Sequence, residues 1–359
     1  MRVLRVLGHA ATAVFALLAA PAAMMLLSMG GYGVYQGVLT RSGPLTDPLS
    51  LLFMALGVLL IASIAITGLW SSVGLLAMAI PAAGVLVLSI FPRIYWELYM
   101  ALLGWVPERS LDILPYGAPH VPFTLLTAFG IVLVISRRRP ASSIVLGVLG
   151  TLVVPVVQLL GVALVILGVG LGTLHSVQTM QPRISVLALA LILAGMVLIL
   201  LSTLGAHLAP YALILPALPL MALNALAMLP AGADLYLTVA TSLHPQMFMF
   251  VTNFMVFGGG ATADVLLLTF TDVLAVVRLR ARSRISRRAL AEQLPITSPS
   301  PVGAGASWDP AGALPKPLDP TLELTAEEGD PAPGPDIPTR PGPSRPSEGA
   351  PSPTEGPGR

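Results

Sequence analysis

The chain of 359 residues contains no cysteine, which excludes disulfides, thiolate catalysis and cysteine-held zinc or iron–sulfur centres. Charge is nearly as scarce. Charged side chains make up 10% of the chain, against about a quarter in an average soluble domain. The first 290 residues hold seven carboxylates, fifteen arginines and no lysine; the other ten acids and the sole lysine, Lys316, follow them. A water-soluble body of that size could not cover its surface with so few charges, whereas a lipid-facing one needs almost none. The missing lysine also rules out a Walker A phosphate loop there, and neither HExxH nor G-x-S-x-G occurs. The five histidines, His9, His120, His175, His207 and His244, have no paired ligand spacing. No catalytic residue, metal or cofactor is therefore assigned.

Long apolar runs stand in place of these features. A bilayer core needs about twenty apolar residues per helix, and eight stretches qualify: 9–29, 49–69, 73–91, 121–136, 143–171, 184–204, 210–229 and 259–277. The expected fold is an all-α polytopic membrane protein of about eight transmembrane helices. Abundant Ala, Gly, Pro and Arg with almost no Lys suits a GC-rich bacterial genome, hence a bacterial plasma membrane. Positive loops stay in the cytoplasm. An inside N-terminus leaves eleven arginines inside (2, 5, 137–139, 278, 280, 282, 284, 287 and 288) and four outside (41, 93, 109 and 183), so both termini are expected to be cytoplasmic. Arg2, Arg5 and the small-residue run 19–23 also read as a cleavable signal peptide; the repeat described next favours a retained first helix.

Glu97-Leu98-Tyr99 recurs as Asp234-Leu235-Tyr236, and Leu125-Leu126-Thr127 as Leu267-Leu268-Thr269, each of the latter before a basic cluster. Pro21 followed by Gly30, Gly31 and Gly33 corresponds to Pro155 followed by Gly168, Gly170 and Gly172. The shared order points to two parallel four-helix repeats, 1–140 and 141–290, related by an axis along the membrane normal. Each has a long outer segment before its last helix, at 92–120 and 230–258. The aromatic-rich first one suits a helix at the headgroup level. The second is expected to lie on the outer leaflet, with a re-entrant segment as the alternative. The tail, 291–359, holds seventeen of the 34 prolines and reads as a disordered, acidic cytoplasmic segment.

Asp264 and Asp272 are the most informative side chains. A charge at mid-membrane costs about 2.5–3.5 kcal/mol on insertion scales, so it is rarely kept without a use or a partner. Eight residues separate them by roughly 80° around the helix and roughly 12 Å along it, so both can face one interior path as proton- or cation-coupling groups. The matching positions in the first repeat are read as Pro122 and Gly130. The structural alternative has Asp264 reaching water and Asp272 paired with Arg278 or Asn224. Pro216 and Pro219 mark a candidate helix break lining a cavity. Gly168 and Gly172, like Gly33 and Gly37, have GxxxG spacing for close helix packing. Arg278, Arg280, Arg282, Arg284, Arg287 and Arg288 are expected to contact anionic lipid and fix the last helix, and a cluster pressed on the bilayer excludes nucleic acid as partner. Three functional readings follow. The first is a permease for a small molecule, ion or lipid between the repeats. The second is a non-enzymatic envelope protein recruiting partners through its outer loops or tail. The third is an enzyme on a lipid-linked substrate using Glu97, Glu108, Asp112 or Asp234.

Overall fold

The computed structural model describes residues 2–39, 47–102, 118–138, 144–179, 184–228, 238, 242 and 245–293. The proline-rich tail lies outside the described residues, as do Glu108, Asp112 and Asp234. No strand occurs among the described residues. The chain forms α1 (Arg2–Leu39), α2 (Pro48–Thr67), α3 (Val73–Ala77), α4 (Ala79–Ile90), α5 (Pro92–Leu102), α6 (His120–Arg138), α7 (Ile144–Thr179), α8 (Val186–Gly205), a 3-10 turn (Pro210–Leu213), α9 (Ile214–Met228), α10 (Pro245–Val256) and α11 (Gly259–Gln293). Seven helical stretches are long and apolar enough to cross a membrane, with α3 and α4 counting as one. The seventh expected span, 210–229, is instead a shorter apolar helix, Pro210–Leu226. Its first turn is 3-10, and Pro216 falls in the first turn of α9, where its missing N–H leaves no hydrogen bond unmade. The chain is continuously helical from 214 to 228, so Pro216 and Pro219 do not unwind it.

Polar caps fix where the shorter helices begin. Asp47 caps α2, its carboxylate accepting from the backbone N–H groups of Leu49 and Ser50, and Ser185 caps α8 by accepting from the N–H of Ala188. Between their ends, close packing of small residues holds helix pairs together, because lipid tails give apolar side chains no reason to leave them. α1 lies along α2, and α7 along α8. A methyl at Gly30 would fall 2.5 Å from the Ser50 carbonyl oxygen, and one at Gly168 would fall 2.8 Å from that of Ala188. A methyl at Gly57 would meet the Ala23 carbonyl at 3.0 Å, and one at Gly195 would meet that of Gly161 at 2.6 Å.

At the centre, α6 packs on α11, with the rings of Phe129 and Phe270 stacked at 3.7 Å and 7°. α6 also packs against α8, and α11 against α2, so each of these two helices reaches across to the other end of the sequence. Buried Leu125, Leu126, Leu133, Leu266, Leu267 and Leu274 fill the space around the ring pair.

One end of the bundle is tied by side chains reaching between helices. His9 Nδ1 lies 2.7 Å from Ser71 Oγ, and Ser136 Oγ lies 2.9 Å from His207 Nδ1. Arg137 donates to the Gly68 carbonyl and to Ser72 Oγ in the turn after α2. Arg278 donates to the carbonyls of Ala206 (3.2 Å) and His207 in the turn after α8.

Candidate functional site

At the opposite end, α10 turns into α11 at Gly258, whose φ of 75° is the left-handed conformation that glycine adopts without strain. α10 packs against α1, α7, α9 and α11. Two glycines admit it: the ring of Phe250 lies on Gly170 of α7, and Phe257 lies on Gly31 of α1, stacked at 6.3 Å on Tyr35. Phe250, Phe254, Val256 and Phe257 are all buried. The segment expected to rest on the outer leaflet therefore inserts its last turns between the long helices.

Beneath it sits Asp264, in the second turn of α11 and 5% exposed. Asn224, near the end of α9 and also buried, donates from Nδ2 to Asp264 Oδ2 at 3.3 Å. Gly260, one turn before Asp264, lets this happen: a methyl there would lie 2.8 Å from the Asn224 amide nitrogen and would also collide with Met255 Sδ. The remaining oxygens, Asp264 Oδ1 and Asn224 Oδ1, are both buried and have no hydrogen-bond partner. A carboxylate in lipid-like surroundings with one amide donor is poorly compensated. Each of the two side chains thus keeps one buried acceptor oxygen free. No group of three or more His, Asp or Glu that could hold a metal ion occurs among the described residues.

The other expected residues are dispersed. Asn224, expected as a partner for Asp272, belongs to Asp264. Asp272 is exposed on the outer face of α11, with no hydrogen bond or ion pair among the described residues. It shares that face with Leu268, Thr269 and Leu279, because residues three, four and seven apart stack along one side of a helix. Pro216 is buried and Pro219 exposed. Arg278 stands apart from the rest of its cluster: it is buried against the turn after α8, where its two carbonyl acceptors replace a headgroup contact. Arg280 and Arg282 are exposed, and the side chains of Arg284, Arg287 and Arg288 lie outside the described residues.

A second buried polar group has no counterpart among the sequence expectations. Gln158 of α7 is fully buried, its Oε1 accepting from Ser202 and from Thr203 (3.3 Å) of α8, while its Nε2 has no partner. Its only signal in the sequence is a lone glutamine in an otherwise apolar run, which carries no motif. Three histidines are helix ties: His9 and His207 as above, and His120, whose Nε2 lies 2.8 Å from Ser89 Oγ.

No protein family, no curated protein and no solved structure matches the chain.

Proposed function

We propose that this is a permease-like plasma-membrane protein of two parallel four-helix units, in which Asp264, held by Asn224, carries a proton or small cation. The observation that carries the reading is the buried carboxylate with one side-chain donor, and an unpartnered acceptor oxygen left on each of Asp264 and Asn224. Intramembrane acids of this kind mark ion pathways and proton relays. Gln158 with Ser202 and Thr203 adds a second buried polar station nearer the arginine-rich end. Asp272, exposed on α11, has a place in this reading only as an entry group at that helix's lipid-facing side.

The two-unit arrangement has support in contact pairs that recur at one constant offset along the chain. Gly30 meets Ser50 and Met54; Gly168 meets Ala188 and Ile192, and all three positions are shifted by the same amount. Gly57 and Gly195, Asp47 and Ser185, and Pro81 and Pro219 keep that offset. In the last helices the offset is slightly larger and again shared: Phe129 stacks on Phe270, and Arg137 and Arg278 cap equivalent turns. That register pairs Asp264 with Phe123 and Asp272 with Ile131, rather than with Pro122 and Gly130.

The test is proton flux in proteoliposomes holding the full chain, driven by a potassium gradient with valinomycin and read with a trapped pH dye. Asp264→Asn is expected to lower flux by at least about tenfold, equivalent to roughly 1.4 kcal/mol in the barrier, while the neighbouring Thr262→Ala retains it. Equal flux in Asp264→Asn removes the residue from the idea. The close apolar packing around Phe129 and Phe270 favours the second reading, an envelope protein that recruits partners. Wild-type flux no higher than that of empty vesicles would select it, and crosslinking with and without residues 291–359 would then locate the partner.

A further inference from the structure

A cavity of about 320 Å³ lies between α4–α5 and α7–α8, on the side of the bundle away from the arginine ties. Its floor is buried and formed by Val85, Val169, Gly172 and Ile192; its mouth carries Tyr95, the exposed Trp96, Ser176 and Ile184. Among the described residues, no charged side chain lines it. The polar groups are the hydroxyls of Ser89, Tyr95, Thr173 and Ser176 and the indole N–H of Trp96. Ser185 caps the start of α8, and Ile192 lies about two turns beyond, so the floor is roughly 10 Å below that helix end. The cavity thus descends from the headgroup boundary into the hydrocarbon layer. Trp96 at its mouth, stacked on Tyr99 at 5.6 Å, is the aromatic type that settles at that boundary.

The matching space in the first half of the chain is filled. Val169, Thr173 and Ile192 correspond, by the offset that relates Gly30 to Gly168, to Gly31, Tyr35 and Met54. Phe257 lies on Gly31 and stacks on Tyr35, and a methyl at Gly258 would come within 3.4 Å of Met54. One half of the molecule thus shows what suits such a recess: an apolar group about the size of a benzyl ring, lying between the long helix and its hairpin partner.

We propose that the cavity is a lipid site, taking one acyl chain of an outer-leaflet glycerophospholipid with its headgroup end at the Trp96 mouth. The volume falls in the range of small-ligand sites, about 300–1,000 Å³. An acyl chain is the apolar group that a bilayer presents at that depth, and the hydroxyls of Ser89 and Thr173 donate to the Val85 and Val169 carbonyls, which leaves mainly apolar wall facing the cavity. The site is independent of any transport role for Asp264.

The test uses the full chain in nanodiscs containing phosphatidylglycerol, a small fraction of it bearing a diazirine at mid-chain. Photolysis is followed by peptide mapping. Adducts are expected to concentrate on 169–176 and 184–192 relative to the exposed α7 face at Leu152 and Val156. Thr173→Phe, which places a ring where Tyr35 stands in the matching space, and Gly172→Leu are each expected to lower cavity labelling by about tenfold, or roughly 1.4 kcal/mol of affinity. Labelling at Leu152 should not change, and unaltered thermal melting identifies which of the two variants keeps its fold. Equal labelling of cavity and outer face, or cavity labelling indifferent to a folded filling variant, overturns the proposal. Crosslinking of the cavity to residues 103–117 or to a second copy, in place of lipid, overturns it as well.

Discussion

A histidine in a turn between two helices, held by a serine on one side and set beside an arginine on the other, is a natural acid-sensitive point. His207 is partly buried, and this desolvation, then the positive charge of Arg278, hold its imidazole below the usual value of 6.5. The folded state therefore binds the proton less readily than the unfolded one. The contribution is fully present above about pH 6.5 and is lost as pH falls from there through the folded-state value. Melting of the detergent-solubilised protein is expected to drop on acidification from about pH 7.5 to about pH 5. His207→Asn, which can still bond Ser136, should flatten that drop; parallel curves for the two proteins would refute the assignment. Asp47 acts in the same sense, in a more acid window. The Ser50 hydroxyl and backbone N–H hold its carboxyl below the ordinary value, so its contribution survives until strongly acid pH. Of these groups the sequence discloses only the unusual one. Asp264 stands out as an acid in an apolar run, but Asn224, on a different helix, becomes its partner only because Gly260 lets α9 approach. Asp272 looks equivalent in composition, yet it is turned from Asp264 by roughly 80° of helical rotation. That is enough to place it outside.

Among helices, the tight contacts are made by glycine against backbone rather than by large side chains, and they are legible only in part. GxxxG spacing points to Gly168 and Gly172, and Gly168 is indeed in backbone contact with α8. The closest mutual approach in that pair is Gly161 on Gly195, which stand on separate helices and share no motif. Gly195→Leu must push α8 off α7, because the obstruction at 2.6 Å is a carbonyl oxygen with nowhere to move. The expected loss is about 1–3 kcal/mol, read as a lower melting temperature in detergent. Gly84→Ala is the control, since nothing lies within 4 Å of its missing methyl. An equal melting temperature in Gly195→Leu and wild type would mean that α7 and α8 are not packed this closely in the membrane. Helix existence, by contrast, follows directly from the density of apolar residues. Pro210–Leu226 begins where its span was expected to begin, with a 3-10 turn and a proline-containing first α turn.

For the molecule as a whole, that short segment decides the topology. His9 bonds Ser71, Arg137 bonds the turn after α2, Ser136 bonds His207, and Arg278 bonds the turn after α8. The start of α1 and the ends of α6 and α11 therefore share one end of the bundle, which requires an even number of crossings between them. Seven long spans give an odd number, and the proposed reading makes 210–226 the eighth crossing. Its ends support this: residue 207 meets Arg278 while Asn224 meets Asp264. The run of α11 from Asp264 to Arg278 separates those contacts by about 21 Å, most of a hydrocarbon core about 30 Å thick. A chain without cysteine makes the test direct, since single introduced thiols have no background. Thr179→Cys at the end of α7 and Ser286→Cys beyond Arg282 are both exposed. With α8, 210–226 and α11 all crossing and the arginine-rich side cytoplasmic as proposed, an impermeant maleimide should label Thr179→Cys in intact spheroplasts, and Ser286→Cys only after permeabilisation. Labelling of both from one side would mean that 210–226 does not cross. The reverse pattern would keep the crossings and invert the molecule. Either result would remove the inside placement of the termini, and only the first would dissolve the two-unit plan.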